Sequence, residues 1–224
     1  MSDLATNSRL YTVIGDVVRS RAFPDQRALL DRLISTLDWV EELVSARLPL
    51  RLGVGDEFQG AYQRLSEAAH AVLLTSLRLK GDVEVRFGLG WGTVDLSAAA
   101  QAPIAQVGKG WWRAREAIER VAELQGQAKG WPDGISTRFA AEDHPAEGLI
   151  NAFFLCRDQV LHRMDVKDAK VATALFQGRK QQEIADELGI TQSTVSSRQR
   201  GRGPSALLRA HESLVAYEEA DGEG

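Results

Sequence analysis

Hydrophobic and polar positions follow two different periods along this chain. In the first half, short runs rich in β-branched and aromatic residues predict strands at 9–18, at 83–94, and as two short strands within 48–62. Between them, apolar residues at helical spacing predict helices over 24–47, 65–79 and 110–124. This order of strand, helix, hairpin, helix, strand and helix predicts an α+β fold with an antiparallel-centred sheet and helices packed on it.

The second half is predicted to be mostly helical. Residues 125–148 are rich in Gly, Pro and Asp and suggest a boundary with one short strand around 135–139. Helices are predicted beyond it over 149–164, as a long connecting helix, and over 168–176 and 205–217. We therefore divide the chain into a first domain at 1–146, an all-α domain at 147–217 and an acidic tail at 218–224.

The segment 181–202 has the pattern of a helix-turn-helix. Ile184, Ala185 and Leu188 share one face of a short helix, and Gly189 follows where the chain must turn sharply. Thr191 is a suitable N-cap for a second helix, whose inward residue is Val195. Ala185 is small where the helices would cross. An ordinary helical hairpin with a solvated polar face is the alternative interpretation.

The outward face of the second helix is predicted to be polar and free to enter a DNA major groove. Three arginines at alternate positions follow it, with glycines between them, as a flexible basic arm for phosphates or a minor groove. The expected contacts to double-stranded DNA are Lys180, Thr191, Gln192, Ser193, Thr194, Ser197, Arg198, Arg200 and Arg202, with Ser196 on the same face.

Charge is distributed in agreement with that expectation. The whole chain has a net charge of −4, but residues 164–211 hold eight Lys or Arg and five Asp or Glu, a local balance of +3. No apolar run is long enough to cross a bilayer, and the first residues lack the pattern of a signal peptide, so we expect a cytoplasmic protein without a membrane partner. The single Cys156 excludes an intrachain disulfide and is expected to be buried, whereas the four scattered histidines are expected at the surface.

Two acidic residues in the first half are candidate metal ligands. Asp16 ends the first strand and Asp56 lies in the hairpin turn, so both carboxylates meet at one sheet edge if those strands are neighbours. Mg²⁺ takes carboxylates and then phosphate oxygens as ligands. The turn after Asp16 is expected to bind a nucleotide phosphate through its backbone N–H groups and Arg19. In the hairpin, Glu57 is expected to be a third metal ligand or a hydrogen-bond acceptor next to the metal. The expected nucleotide-binding residues are Val17, Val18, Arg19, Ser20, Gly55 and Glu57. Alternatively, Asp16 and Asp56 are merely turn formers.

The segments IGDVV at 14–18, GVGDEF at 53–58 and VRFGLGWGTV at 85–94 resemble, in order, the first strand, the central hairpin and the glycine-rich strand of nucleotide cyclase folds. These folds include class III nucleotidyl cyclases and GGDEF-type diguanylate cyclases. The resemblance implies a cyclase/ferredoxin-like sheet in which Asp16 and Asp56 hold metal ions. A domain of this kind joined to a sigma-region-four-like helix-turn-helix is similar to the bacterial SatD family, which implies a fold rather than an activity.

Several residues that are characteristic of nucleotide cyclases are replaced in this chain. The Asn and Arg that steady the transition state in class III enzymes fall on Trp112 and Glu116, and a shift by one residue recovers Arg115 but places Trp111 at the Asn. The purine-selecting position falls on Leu52, and Val54 replaces the first Gly of the GGDEF signature. Loss of such groups lowers the rate of phosphoryl transfer by orders of magnitude. We therefore assign no catalytic residue.

These patterns favour a transcriptional regulator: a catalytically degenerate cyclase-like domain that senses a nucleotide or cyclic nucleotide, coupled to a DNA-binding helix-turn-helix. Two-fold pairing into a homodimer would match a palindromic operator. The main alternative is an active divergent nucleotidyl cyclase with a DNA-targeting domain, and a third is a module that binds a protein partner. Trp91, Trp111 and Trp112 are either base-stacking residues or core and dimer packing.

Overall fold

The computed structural model describes residues 7–53, 55–96, 107–127 and 130–222. Its strands are β1 (Asn7–Val17), β2 (Leu48–Leu52), β3 (Phe58–Tyr62), β4 (Val85–Asp95) and β5 (Thr137–Ala141). Its α-helices are α1 (Gln26–Leu43), α2 (Leu65–Leu79), α3 (Lys109–Gly126), α4 (Glu147–Arg163), α5 (Val166–Phe176), α6 (Gln181–Leu188), α7 (Gln192–Gly201) and α8 (Pro204–Gly222). A short 3₁₀ helix covers Ser20–Ala22. The α+β class predicted from the sequence is confirmed.

The five described strands form one mixed sheet in the order β2-β3-β1-β4-β5. β1 lies at the centre and pairs antiparallel with both β3 and β4, while β5 joins β4 in parallel at the edge. The predicted hairpin of β2 and β3 is present as an antiparallel pair. β1 is therefore next to both the hairpin and the glycine-rich strand, and it brings the ends of all three together.

Helices cover both faces of the sheet. On one face lie α1, α2 and α4, and the predicted apolar stripe of α1 is buried there: Leu29, Leu33, Leu37, Val40 and Val44. On the other face α3 packs against β1 and β4 through a smaller core that includes Leu10, Ile14 and Ile118. The alternation of side chains along β1 explains this division, since Val13 and Val17 point to the first core while Leu10 and Ile14 point to the second.

Glycines on β4 bring α3 unusually close to the sheet. A Cβ atom built on Gly88 would lie 2.1 Å from the Ala114 carbonyl oxygen, and one on Gly90 would lie 2.2 Å from the Gly110 carbonyl oxygen. The Thr12 hydroxyl group lies 2.8 Å from the Gly110 oxygen and 3.2 Å from the Gly90 oxygen, so it bridges the strand and the helix. The glycines of this strand thus allow the close approach of the strand and helix backbones.

The helices after the predicted boundary pack against the sheet domain. On α4, Ile150 and Phe154 are buried in the main core. Leu73 and Leu77 of α2 share a second cluster with residues of α4, α5 and α8, including Leu207. The Glu218 carboxylate accepts hydrogen bonds from the backbone N–H groups of Leu65 and Ser66, at 2.7 and 3.0 Å, at the first turn of α2. The helix α8 extends to 222, so residues 218–222, predicted as a tail, continue this helix.

Two expectations about side-chain positions are wrong. Cys156 is exposed on α4, because the buried stripe of that helix runs through Phe154, Arg157 and Asp158 instead. His70 and His211 are half-buried rather than exposed, since their rings pack against each other at a centroid distance of 4.3 Å between α2 and α8. Burial, followed by repulsion from His211, lowers the pKa of His70 to about 3, so this ring is neutral at pH 7. Among the described residues, no helix has the length and apolar character needed to cross a bilayer.

Candidate functional site

The predicted metal ligand Asp16 lies one residue before the end of β1, directly opposite Arg86 on β4. Its carboxylate accepts two hydrogen bonds from the Arg86 guanidinium group, at 2.6 and 2.9 Å. Both side chains are about one quarter exposed. Asp16 is thus held in a two-point ion pair, the strongest arrangement that Arg and a carboxylate form.

Asp56 reaches the same edge from the β2–β3 turn. Its Oδ2 atom accepts a hydrogen bond of 3.3 Å from the backbone N–H group of Val17, the residue after Asp16. The turn is closed by the Gly53 N–H group, which donates to the Glu57 carbonyl oxygen at 2.7 Å, and Gly55 takes a left-handed φ of 70°. The structure therefore brings Asp16 and Asp56 to one edge, as the strand order inferred from the sequence required. Val54, at the altered GGDEF position, lies outside the described residues.

Glu57 is held by Arg115 of α3. The Arg115 guanidinium group donates two hydrogen bonds to the Glu57 carboxylate, at 2.6 and 2.7 Å. This hydrogen bonding is the main cause that raises the pKa of Arg115, and the charge of Asp16 adds to the effect. Arg115 therefore lies within electrostatic reach of Asp16. The edge combines three carboxylates, on Asp16, Asp56 and Glu57, with two guanidinium groups.

This arrangement does not fit a Mg²⁺ ion as it stands. Mg²⁺ needs carboxylate oxygens that are free to enter its first coordination sphere, but Arg86 engages both oxygens of Asp16 and Arg115 engages both of Glu57. In the part of the chain that the structure describes, no group of three or more His, Cys, Asp or Glu is placed to hold a metal. A metal ion would first have to displace Arg86 from Asp16.

The turn after Asp16 is less open to a phosphate than the sequence suggested. The Val17 N–H group donates to Asp56, and the Val18 N–H group donates to the Glu84 carbonyl oxygen at 2.9 Å. These two donors are already used within the chain. Arg19 adopts a left-handed φ of 56° and leads with Ser20 into the 3₁₀ helix. Arg19 is exposed, so the cationic side chain expected for a phosphate is accessible at this edge.

The three tryptophans do not form one stacking site. Trp111 is buried in the core under α3, Trp112 is 64% exposed on the same helix, and Trp91 stacks on Tyr11 at a centroid distance of 4.4 Å. Trp111 therefore serves as core packing. Leu52, at the purine-selecting position, is half-buried against the main core.

The helices α6 and α7 cross through a small apolar contact, the α6–α7 unit. Ile184, Ala185 and Val195 are buried together in it, as the spacing predicted. Gly189 ends α6 with a left-handed φ of 61°, and the Ile190 N–H group bonds back to the Ala185 carbonyl oxygen at 3.0 Å. The Thr191 hydroxyl group caps α7 by accepting from the Thr194 N–H group at 3.2 Å. The apolar spacing, the glycine at the turn and the threonine cap, all identified in the sequence, thus account for the α6–α7 unit.

One face of α7 is open to solvent. The side chains exposed on it and around it include most of the residues expected to contact DNA: Lys180, Thr191, Gln192, Ser193, Thr194, Ser197, Arg200 and Arg202. Ser196 is half-buried. The α7 helix includes Arg198, Arg200 and Gly201, so most of the predicted flexible arm is helical.

Arg198 differs from the expectation. Its Nη1 atom donates to the Asp165 carboxylate at 2.9 and 3.0 Å and to Asp168 at 2.6 Å, at the first turn of α5. Asp168 is completely buried, and the hydrogen bond from Arg198 is the main cause that holds the pKa of Asp165 below its usual value. Arg198 therefore fastens α7 to α5 and contributes no free positive charge to the exposed face.

Sequence reasoning missed the partners of the charged residues. Arg86 and Arg115 occupy the candidate ligand edge, and Asp165 and Asp168 hold Arg198. The register between β1 and β4 would have identified Arg86, because it places this residue directly opposite Asp16. The other pairs join elements distant in the chain, and no local pattern marks them.

A comparison with protein-family models matches one described as the SatD family over residues 10–216. The matched range includes both the five-stranded sheet and the α6–α7 unit. A search of the curated proteins finds no match to this chain. Because this match covers far more than half of the chain, the chain belongs to the SatD family.

Proposed function

We propose that this protein is a DNA-binding transcriptional regulator. In this proposal a catalytically degenerate, cyclase-like domain senses a nucleotide or nucleotide second messenger, and the α6–α7 unit is the helix-turn-helix that reads DNA. The observation that carries the proposal is the exposed polar face of α7, with Gln192, Ser193 and Thr194 in its first turn. In a helix-turn-helix, the N-terminal residues of the second helix contact base edges in the major groove.

The charges around α7 suit a DNA backbone. Arg200 and Arg202 are exposed at its C-terminal end, and Lys180 is exposed just before α6. Lysine and arginine side chains at such positions neutralise phosphates and release counterions, which supplies much of the affinity. The small hydroxyl side chains of Ser193, Thr194 and Ser197 leave room for close approach to the duplex. A homodimer would place two such helices on a palindromic site.

Replacing Arg200 and Arg202 with alanine should weaken DNA binding at least about tenfold. The loss of two phosphate contacts should also reduce the slope of log affinity against log salt concentration by about two. Fluorescence anisotropy of the full chain with labelled duplexes, enriched from a random pool, measures both quantities. The fold should be unaffected because both side chains are exposed.

The matched control replaces Arg21 and Arg27, which removes the same charge from an exposed surface near α1. It should leave the affinity within about twofold of the wild type. Equal losses in both double variants, or no duplex enriched by the wild-type protein, would reject DNA binding by this face.

The ligand-sensing part of the proposal rests on the exchange of ion-pair partners at the Asp16 edge. A guanidinium group binds phosphate in the same two-point geometry as it binds carboxylate. The phosphates of a nucleotide would therefore compete with Asp16 for Arg86 and with Glu57 for Arg115. Released from Arg86, Asp16 would regain two free oxygens beside Asp56. In this view Mg²⁺ binds only together with the nucleotide.

Arg86→Ala should lower nucleotide affinity at least about tenfold, because it removes a two-point phosphate contact. Isothermal titration of the full chain with ATP, GTP and cyclic nucleotides, each with Mg²⁺, measures this change. Arg51→Ala is the control, since Arg51 also pairs with a carboxylate, that of Asp38 at 2.9 Å, but on β2. If no nucleotide binds the wild type, or if Arg51→Ala has the same effect, sensing at this edge is ruled out.

One observation favours the alternative of an active divergent nucleotidyl cyclase. Arg115 extends from α3 to Glu57, next to Asp56, so a guanidinium group from the helix after the glycine-rich strand does reach the candidate site. Cyclic product formed from ATP or GTP with Mg²⁺, and lost in Arg115→Ala, would establish this alternative.

A further inference from the structure

A second candidate ligand site lies far from the Asp16 edge. A cavity of about 750 Å³ opens between β1, β4, α2, α4 and α8. Its floor includes Tyr11, five residues before Asp16 on β1 and therefore about 17 Å from it along the strand. Its volume is within the range of small-molecule binding sites. The proposed nucleotide edge and this cavity are thus separate places on the protein.

Aromatic and aliphatic side chains dominate the cavity. Tyr11 and Trp91 line it with rings whose centroids lie 4.4 Å apart, and the helices add further lining side chains: Leu149 and Phe153 of α4, and Leu214 and Tyr217 of α8. Leu149 is 73% exposed and Tyr217 is 61% exposed, which is unusual for such large apolar side chains at a concave surface. Flat aromatic walls of this kind bind planar rings by stacking and by apolar contact.

Among the described residues that line the cavity, Arg64 and Glu218 carry charges of opposite sign, so their charges cancel. The Glu218 carboxylate accepts from the Leu65 and Ser66 N–H groups at the start of α2. The His144 ring packs edge-on against Trp91 and accepts a hydrogen bond from the Ala146 N–H group at 3.3 Å. Burial lowers the pKa of His144, so this ring stays neutral at pH 7. The surroundings therefore favour a ligand without net charge.

We propose that this cavity binds an uncharged, planar aromatic small molecule. Its occupancy would act on α8, which supplies Ser213, Leu214 and Tyr217 to the cavity and is separated from the end of α7 by two residues. The segment between α7 and α8 is tightly packed, because Gly203 lies against Val160 and Met164 with no space for a Cβ atom. A change in the position of α8 would thus move the DNA-reading helix, a step that rests on the proposed function.

Nile red, an uncharged planar dye that becomes fluorescent in apolar sites, is the probe for the binding test. Titrated into the full chain without DNA, it should bind saturably with one dye per chain. Leu149→Ser combined with Tyr217→Ser should weaken binding at least about tenfold. The matched control is Trp112→Ser combined with Leu43→Ser, which removes two exposed hydrophobic side chains elsewhere, 64% and 41% exposed, and should leave dye affinity unchanged.

Competition then tests the class of ligand. The neutral 2-naphthol should displace the dye, whereas naphthalene-2-sulfonate, of the same ring size but anionic, should not. A wild-type protein that binds no dye, a control that loses as much affinity as the cavity variant, or equal displacement by both competitors would overturn the proposal. None of these measurements involves DNA, so their outcome is independent of the test of DNA binding by the proposed regulator.

A separate experiment tests whether occupancy of the cavity changes DNA binding through α8. Saturating 2-naphthol should change the DNA affinity of the wild-type chain at least about threefold and that of the cavity variant not at all. An unchanged affinity in the wild type, together with saturable dye binding, would overturn the coupling to α8 alone.

Discussion

Gly90→Ala should destabilise the protein by at least about 3 kcal/mol, at the upper end of the cost of overpacking a core. A Cβ atom at this position would lie 2.2 Å from the Gly110 carbonyl oxygen and 2.4 Å from the Ala114 backbone nitrogen. Both are backbone atoms of α3, so no side chain can rotate away. The helix would have to move off the sheet, which would also break the hydrogen bond that the Thr12 hydroxyl group donates to the Gly110 carbonyl oxygen.

Neighbouring glycines provide a graded series for this test. At Gly92 the nearest backbone atom would be 2.7 Å from the new Cβ atom, so Gly92→Ala should cost less than Gly90→Ala. Gly148, in the first turn of α4, has no heavy atom within 4 Å of that position, and Gly148→Ala should be neutral or up to about 1 kcal/mol stabilising. Urea unfolding followed by circular dichroism gives all three free energies. Similar values for Gly90→Ala and Gly148→Ala would disprove the close contact.

Much of the fold follows from local patterns in the sequence. The strands of the first half, the helix over 65–79 and the α6–α7 unit were predicted within a few residues, because each has strong periodicity and recognisable ends. Gly189 and Thr191 show this most clearly, since one supplies the left-handed turn and the other the cap. Such signals lie within about ten residues of each other, so no knowledge of the tertiary structure is needed to read them.

The electrostatic partners could not be predicted in the same way. Arg198 and Arg200 look alike in the sequence, but α7 turns Arg198 towards Asp165 and Asp168, thirty or more residues away, and leaves Arg200 in solvent. Asp16 looks like a free metal ligand until the strand register places Arg86 opposite it. Side-chain partners depend on how elements are arranged in space, and a single sequence does not record that arrangement.

The boundary near 146 illustrates the same limit. A stretch rich in Gly, Pro and Asp predicts a linker, and the division into a first and a second domain stays a prediction. In the structure, β5 emerges from that stretch, pairs with β4, and is fastened by α4 directly after it. Asn151 of α4 completes the attachment with two hydrogen bonds of 2.9 Å, one to the backbone N–H group and one to the carbonyl oxygen of Phe139. A displacement of α4 would therefore also displace β5 at the edge of the sheet.

Asp158→Ala should destabilise the protein by about 3–5 kcal/mol, the usual cost of removing one partner of a buried ion pair. Asp158 is completely buried on α4, and its carboxylate accepts from the Ser136 and Thr137 N–H groups of the β5 segment at 2.8 and 2.7 Å. It also accepts from Arg157, a buried guanidinium group whose pKa burial lowers. Without Asp158 this charge would remain buried and uncompensated, together with two unpaired backbone donors.

A double substitution separates the charge from the backbone contribution. In Arg157→Met with Asp158→Ala, the loss should be smaller than the sum of the two single losses, because no unpaired charge is left in the core. Asp31→Ala is the control for an exposed carboxylate, since its ion pair with Arg27 is 3.9 Å long in solvent, and it should change the stability by less than about 0.5 kcal/mol. Thermal and urea unfolding of the four variants measure these differences. A loss below about 1 kcal/mol for Asp158→Ala would contradict the role of this carboxylate in joining α4 to the sheet.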